Sequence, residues 1–99
     1  MKPYKILNKW IDLDAVLSIG APSPIVNVGA YYDTVDGFEI DVHFIFSNTL
    51  TLRFVRGDDF DTEPDDLSPD ERYERIMGLM QSEHKKLVDA WLARVTRDG

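Results

Sequence analysis

Half of the acidic side chains of this protein lie in one short segment, residues 58–74, which holds nine of the chain's 18 Asp and Glu residues. Carboxylates at this density could bind a divalent cation or attract a basic protein surface. The alternating acids of Asp59–Glu63 have the spacing of ligands in a calcium loop. An EF-hand loop also needs Gly at position six and Glu at position twelve, where this chain has Pro64 and Asp70. Pro64 and Asp70 therefore argue against an EF-hand.

We interpret the segment instead as a docking surface for a basic protein partner. Clustered carboxylates steer the approach of such a partner and help to select it. The alternative is a solvated loop whose charge only keeps the protein soluble. The predicted partner-binding residues are Asp58, Asp59, Asp61, Glu63, Asp65 and Asp66.

The two histidines differ in their surroundings. His43 lies on the outer face of a predicted strand, near Asp41 and opposite Arg53 in the expected register, so these three residues form a predicted secondary surface patch. His84 lies within the apolar stripe of a predicted helix. A histidine among apolar neighbours is expected to satisfy a local hydrogen bond rather than to bind a metal.

No residue pattern in the chain indicates catalysis. Asp12 and Asp14 would share one face of a strand, about 7 Å apart, but no sugar-binding residues surround them. The chain has no cysteine, no Gly-x-Ser-x-Gly motif and no glycine-rich phosphate loop. We therefore predict a protein that is not an enzyme and that holds neither a metal ion nor a cofactor.

The composition narrows the possible partners. A net charge of −7 repels nucleic-acid phosphates and anionic lipids, so we expect neither nucleic acid nor a membrane as partner. The hydrophobic fraction of 43% fits a globular domain. The sequence shows no signal peptide and no apolar run of membrane-spanning length, so we expect a soluble cytoplasmic protein.

The first half of the chain has the residue pattern of strands. Leu13–Ile19 alternates like a half-buried strand, and the two prolines of Gly20–Pro24 predict a break after it. Ile25–Tyr32 is a further candidate strand, and Asp36-Gly37 predicts a turn. Phe38–Phe46 alternates most clearly. Tyr4 to Trp10 could form a short strand or an edge piece.

A hairpin is expected to follow the strand Phe38–Phe46. Matching the apolar faces favours a three-residue loop over residues 47–49. The pairs expected from that loop are Phe46 with Leu50, Phe44 with Leu52, and Val42 with Phe54. The same reading places Val16, Ile45 and Val55 on the back of the sheet, where they could form a contact between two copies of the chain.

A long helix is predicted for the last third of the chain. Ser68 is the expected N-cap, with Pro69 in the first helical position and Glu71 completing a capping box. Gly78 could mark a kink or a break. The predicted apolar stripe consists of Tyr73, Met80, His84, Leu87 and Trp91, flanked by Ile76, Met77, Val88 and Val95.

These elements predict a single α+β domain over residues 1–99, an antiparallel meander of four to five strands with one long C-terminal helix packed on one face. We divide it into a β-sheet half (1–56), an acidic connector (57–67) and a helix (68–97). The expected function is a small acidic adaptor or inhibitor that docks a basic protein. The alternative is a structural subunit that forms homo-oligomers through the back or an edge of the sheet.

Overall fold

The protein has the predicted α+β architecture, and the part of the chain that the structure describes contains five strands and one long C-terminal helix. The computed structural model describes residues 3–46, 48–61 and 66–98, with side chains up to Arg94. The elements in chain order are β1 (Tyr4–Ile6), β2 (Lys9–Ile11), a 3-10 turn (Leu13–Ala15), β3 (Val16–Asn27), β4 (Thr34–Phe44), β5 (Thr49–Val55) and α1 (Pro69–Asp98).

The strands form two antiparallel sheets. β1 and β2 make a small hairpin, and β3, β4 and β5 make a three-stranded meander in that order. Helix α1 lies against the meander, and the core fills the space between them. Fully burying one large apolar side chain contributes roughly 1.5–3 kcal/mol to the stability of the fold. The core between α1 and the meander is therefore its main source of stability. The most deeply buried side chains are Ile6, Phe38, Ile40, Val42, Phe54, Ile76 and Leu87.

Strand β3 continues through Gly20–Pro24, so the predicted break was wrong. Pro22 lies opposite Ile40 and Pro24 lies opposite Phe38, with an irregularity in register between Ile19 and Pro22. β3 is an edge strand with only one neighbour within the meander. A proline can occupy such a strand because its missing N–H group need only face away from the ladder.

The residues before and after β3 also differ from the prediction. Leu13–Ala15 forms a 3-10 turn, because the side chain of Asp12 accepts a hydrogen bond from the Asp14 amide at 3.0 Å and caps that turn. At the other end, the connection to β4 is residues 28–33, so Ile25–Tyr32 is not a separate strand. Asp36-Gly37 lies inside β4 and is not a turn.

The β4–β5 hairpin has the predicted faces but a different register. Val42 pairs with Leu50, not with Phe54, a shift of four residues along β5. Phe38 pairs with Phe54, and their ring centroids are 5.0 Å apart. Because side chains alternate with a period of two, an even shift leaves every residue on its original face. Matching faces could not detect it, and Phe46 is 72% exposed as a result.

Helix α1 begins as the sequence predicts. The Ser68 hydroxyl accepts a hydrogen bond from the Glu71 amide at 3.3 Å and donates one to Glu71 Oε1 at 2.9 Å. The helix continues without a break through Gly78, which is exposed. Its buried face is centred on Ile76, Met80 and Leu87. Within the described ranges, no helix combines the length and apolar character needed to cross a membrane.

Candidate protein-binding surface

The acidic connector begins as an ordered turn. The Arg56 amide donates to Asp36 O at 2.8 Å, which fastens the end of β5 to the start of β4. Gly57 has φ +95°, a conformation that favours glycine, and its amide donates to Phe60 O at 2.7 Å. The Phe60 ring lies 5.9 Å from the ring of Phe38 in the core. This aromatic contact holds the first part of the connector against the sheet.

Asp59 is a structural residue of this turn. Its carboxylate accepts hydrogen bonds from the Val55 amide at 2.7 Å and from Asn8 Nδ2 at 2.7 Å, and Lys9 Nζ lies 3.5 Å away. The Val55 amide is the main cause that holds the pKa of Asp59 below its usual range, although partial burial opposes the shift. The side chain is only 11% exposed. Asp59 therefore joins the β1–β2 turn to the end of β5 and is poorly placed to meet a partner.

The neighbouring predicted carboxylates are differently placed. Asp58, Asp61 and Asp66 are all exposed. Glu63 and Asp65 lie outside the described residues. Of the four predicted carboxylates that the structure describes, one is engaged within the fold and three face solvent.

Exposed aromatic side chains lie at the same end of the molecule. The antiparallel topology brings the end of β3, the start of β4 and the end of β5 together there. Tyr31 in the β3–β4 connection is 96% exposed, and Val28 beside it is 85% exposed. Tyr32 and Tyr73 are also exposed. We call this region, with Asp58, Asp61 and Asp66, the acidic end.

A cleft of about 300 Å³ opens at the acidic end, between the β3–β4 connection and the first turn of α1. It is lined by Tyr32, Asp33, Thr34, Val35, Pro69, Asp70 and Tyr73. A second hollow of about 310 Å³ shares Tyr32 and Thr34 with it and is also lined by Val28 and Tyr31. Two aspartates and two tyrosines are therefore among the residues that line one cleft, a combination that suits a cation.

The sequence interpretation missed these tyrosines. It assigned Tyr31 and Tyr32 to a strand, where alternation would send one ring inward. In the structure they follow Gly29-Ala30 in a connection, and both are exposed. The available signal was the adjacency of two tyrosines to a glycine and to Asp33, a composition typical of loops that bind proteins.

The predicted secondary patch is spread along the outer face of the sheet. Asp41 accepts a hydrogen bond from the Thr51 hydroxyl at 2.7 Å, and His43 Nδ1 lies 3.0 Å from the Thr49 hydroxyl. Arg53 pairs with Glu39 at 3.6 Å and is not opposite His43, so the expected pairing was wrong. Each of these polar groups has a local cross-strand partner.

The remaining candidate residues are engaged within the fold. Asp14 forms a two-point ion pair with Arg94, at 2.8 and 3.0 Å, and this bond lowers the pKa of Asp14. It is therefore not one of a pair of free carboxylates with Asp12. His84 Nε2 lies 2.9 Å from the carbonyl oxygen of Gly20, which makes that nitrogen the donor. Among the described residues, no group of three or more His, Asp or Glu side chains is arranged to hold a metal ion.

An apolar surface lies at the end of the molecule opposite to the acidic end, where β4 turns into β5. The Ile45 amide donates to Ala15 O at 2.9 Å, which brings this turn beside the start of β3. The exposed apolar side chains of this turn end are Leu17, Ile45, Phe46 and Leu50. Val16, predicted on the back of the sheet, is instead buried in the core.

Comparison of the chain with protein-family models, with curated proteins and with solved structures found no match.

Proposed function

We propose that this protein is a non-enzymatic, cytoplasmic binding module that docks a basic protein through its acidic end. The observation that carries the proposal is the convergence of exposed tyrosines and exposed carboxylates on one end of the molecule. The net charge of −7 favours the same class of partner.

The two kinds of side chain have different tasks in this proposal. Tyrosine supplies contact area at low entropic cost and is common among the residues that dominate binding energy. Tyr31 and Tyr32 are the anchors on the β3–β4 connection. The surrounding carboxylates accelerate encounter and select against acidic partners, and they add less to affinity. An adaptor or an inhibitor of a basic protein could use this surface.

The test is quantitative capture of partners by the tagged full chain from its native host. The informative variant changes Asp58, Asp61 and Asp66 to Asn and keeps Asp59, because Asp59 supports the fold. The matched control changes Glu39 to Gln and Asp41 and Asp89 to Asn, which alters the net charge equally on other surfaces. We expect the first variant to lose a basic partner that the wild type and the control both retain.

Retained capture by the first variant would contradict the proposal. Loss of capture by the control alone would move the binding surface away from the acidic end, to the sheet around Glu39 and Asp41 or to helix α1 around Asp89. A Tyr31→Ser variant gives an independent check, since it tests an anchor without changing the charge. It should weaken binding of the same partner by about tenfold or more.

The second candidate function is self-association through the turn end. Exposed Leu17, Ile45, Phe46 and Leu50 favour it, because apolar side chains clustered on a surface often form interfaces. Light scattering at high concentration would then detect a defined dimer that Phe46→Asp dissociates. A monomer at all concentrations would exclude this candidate.

A further inference from the structure

We infer that the cleft between Tyr32 and Tyr73 receives an arginine side chain of the basic partner. The inference rests on the proposed function, because it names the group that the acidic end recognises. The cleft can nevertheless be tested separately from the docking function, because the connector carboxylates Asp58, Asp61 and Asp66 do not line it.

The cleft is large enough to hold a single side chain. Pockets that enclose drug-sized ligands measure about 300–1,000 Å³. This cleft, at about 300 Å³, is at the lower limit of that range. It lies between a connection and the start of a helix, so a partner can insert one extended side chain while its backbone stays outside.

The charge of the lining indicates a cation. Asp33 and Asp70 both line the cleft and both are exposed. The amino-terminal end of α1 contributes a partial positive charge of about half a unit, which two carboxylates exceed. Pro69 at the first helical position has no N–H group to offer an anion, and the Ser68 hydroxyl already accepts from the Glu71 amide. The two carboxylates of the cleft would therefore repel an anion.

Two arginines of the described residues, Arg72 and Arg56, do not line the cleft. Each has a buried Nε atom without a hydrogen-bond partner. They do not neutralise Asp33 and Asp70 by direct contact within the described residues.

The aromatic lining favours arginine over lysine. A guanidinium group is planar, stacks on aromatic rings and pairs with a carboxylate through two parallel hydrogen bonds. Lysine brings a compact and strongly hydrated charge that gains less from a ring. Tyr32 and Tyr73 provide the rings, and Asp33 and Asp70 provide the acceptors.

The experiment is an amide NMR titration of the full chain with capped Gly-Ser-Arg-Ser-Gly, and with the same peptide carrying citrulline or lysine. Citrulline keeps the planar shape and removes the charge. We expect the arginine peptide to give saturable shifts at Tyr32, Asp33, Asp70 and Tyr73. The citrulline peptide should bind about tenfold more weakly, and the lysine peptide should bind several-fold more weakly than arginine.

Variants separate the cleft from general charge. Asp33→Asn with Asp70→Asn, and separately Tyr73→Leu, should each weaken the arginine peptide by about tenfold. The matched controls Glu39→Gln with Asp89→Asn, and Trp10→Leu, alter the same features elsewhere and should leave it unchanged. Dispersed amide spectra verify that each variant is folded.

Three outcomes would overturn the inference. The first is the absence of shifts at the cleft with arginine peptide up to about 20 mM, a concentration well above the millimolar Kd expected of one side chain. The second is equal binding of the citrulline or lysine peptide. The third is a weakening of arginine-peptide binding by the control variants that equals the weakening by the cleft variants. Capture of a basic partner that still depends on Asp58, Asp61 and Asp66 would show that the docking function stands without the cleft.

Discussion

Asp59 and Asp58 are adjacent and chemically identical, yet the fold uses them in different ways. Asp59 accepts hydrogen bonds from the Val55 amide and the Asn8 side chain, whereas Asp58 is exposed. We predict that Asp59→Ala lowers the free energy of unfolding by about 1–3 kcal/mol, because it leaves the Val55 amide without its acceptor. Asp58→Ala should change it by less than about 0.5 kcal/mol. Urea unfolding measures both, and equal effects would contradict this assignment.

The lowered pKa of Asp59 also makes the stability of the fold depend on pH. Because the fold lowers the pKa of Asp59, its ionised form stabilises the folded state above the unfolded pKa of about 3.9. That contribution is lost as the pH falls through the folded value. The difference in unfolding free energy between wild type and Asp59→Asn should be constant from about pH 7 to 5 and shrink below about pH 4. A difference that is as large at pH 2 as at pH 7 would contradict the prediction.

At the residue level, sequence reasoning found the charged segment but not the roles of its members. Local density identifies where the carboxylates are, whereas two of the three partners of Asp59, Asn8 and Lys9, lie about 50 residues away. Such long-range contacts leave no local signal. The hydrogen bond expected of His84 was confirmed, since its Nε2 lies 2.9 Å from Gly20 O, whereas Tyr73 of the same predicted apolar stripe is 47% exposed.

Among the secondary-structure elements, two glycines provide a matched test. A Cβ atom at Gly78 would meet nothing within 4 Å, whereas one at Gly37 would collide with the Phe54 carbonyl oxygen. We predict that Gly78→Ala stabilises the protein by about 1 kcal/mol, through the higher helix propensity of alanine. Gly37→Ala should destabilise it by about 1–3 kcal/mol or more.

Thermal unfolding measures the two glycine variants side by side. The result tests the continuity of α1 and the close approach of β4 to β5 in one experiment. A destabilising Gly78→Ala would indicate a kinked helix, and a harmless Gly37→Ala would indicate a different strand register.

The elements that local chemistry determines were predictable. Ser68, Pro69 and Glu71 define the start of α1, and alternation locates β4 and β5. The bounds of β4 differ, since it spans Thr34–Phe44 and not Phe38–Phe46. The pairing of β4 with β5 was not predictable, because a shift of four residues along β5 leaves every side chain on the same face of the sheet. Pro22 and Pro24 likewise suggest a break until the strand is known to be an edge. These features depend on neighbours distant in sequence.

The whole molecule is elongated, with dimensions of about 50 × 25 × 19 Å. The acidic end lies at the start of α1, and the turn end lies near its last turns, where Trp91 Nε1 donates to Val16 O at 3.2 Å. The 30 residues of α1 span about 45 Å. Substitutions at one end should therefore leave binding at the other end unaffected.

The measurement that tests the central claim most directly is the salt dependence of partner affinity. The Kd of the captured basic partner is determined at about 0.1 M and 1 M salt, between which the screening length falls from about 10 Å to about 3 Å. It is measured for the wild type and for the variant with Asn at 58, 61 and 66. We predict steep weakening by salt for the wild type and a much flatter dependence for the variant. An equally steep dependence in both proteins would contradict docking at the acidic end.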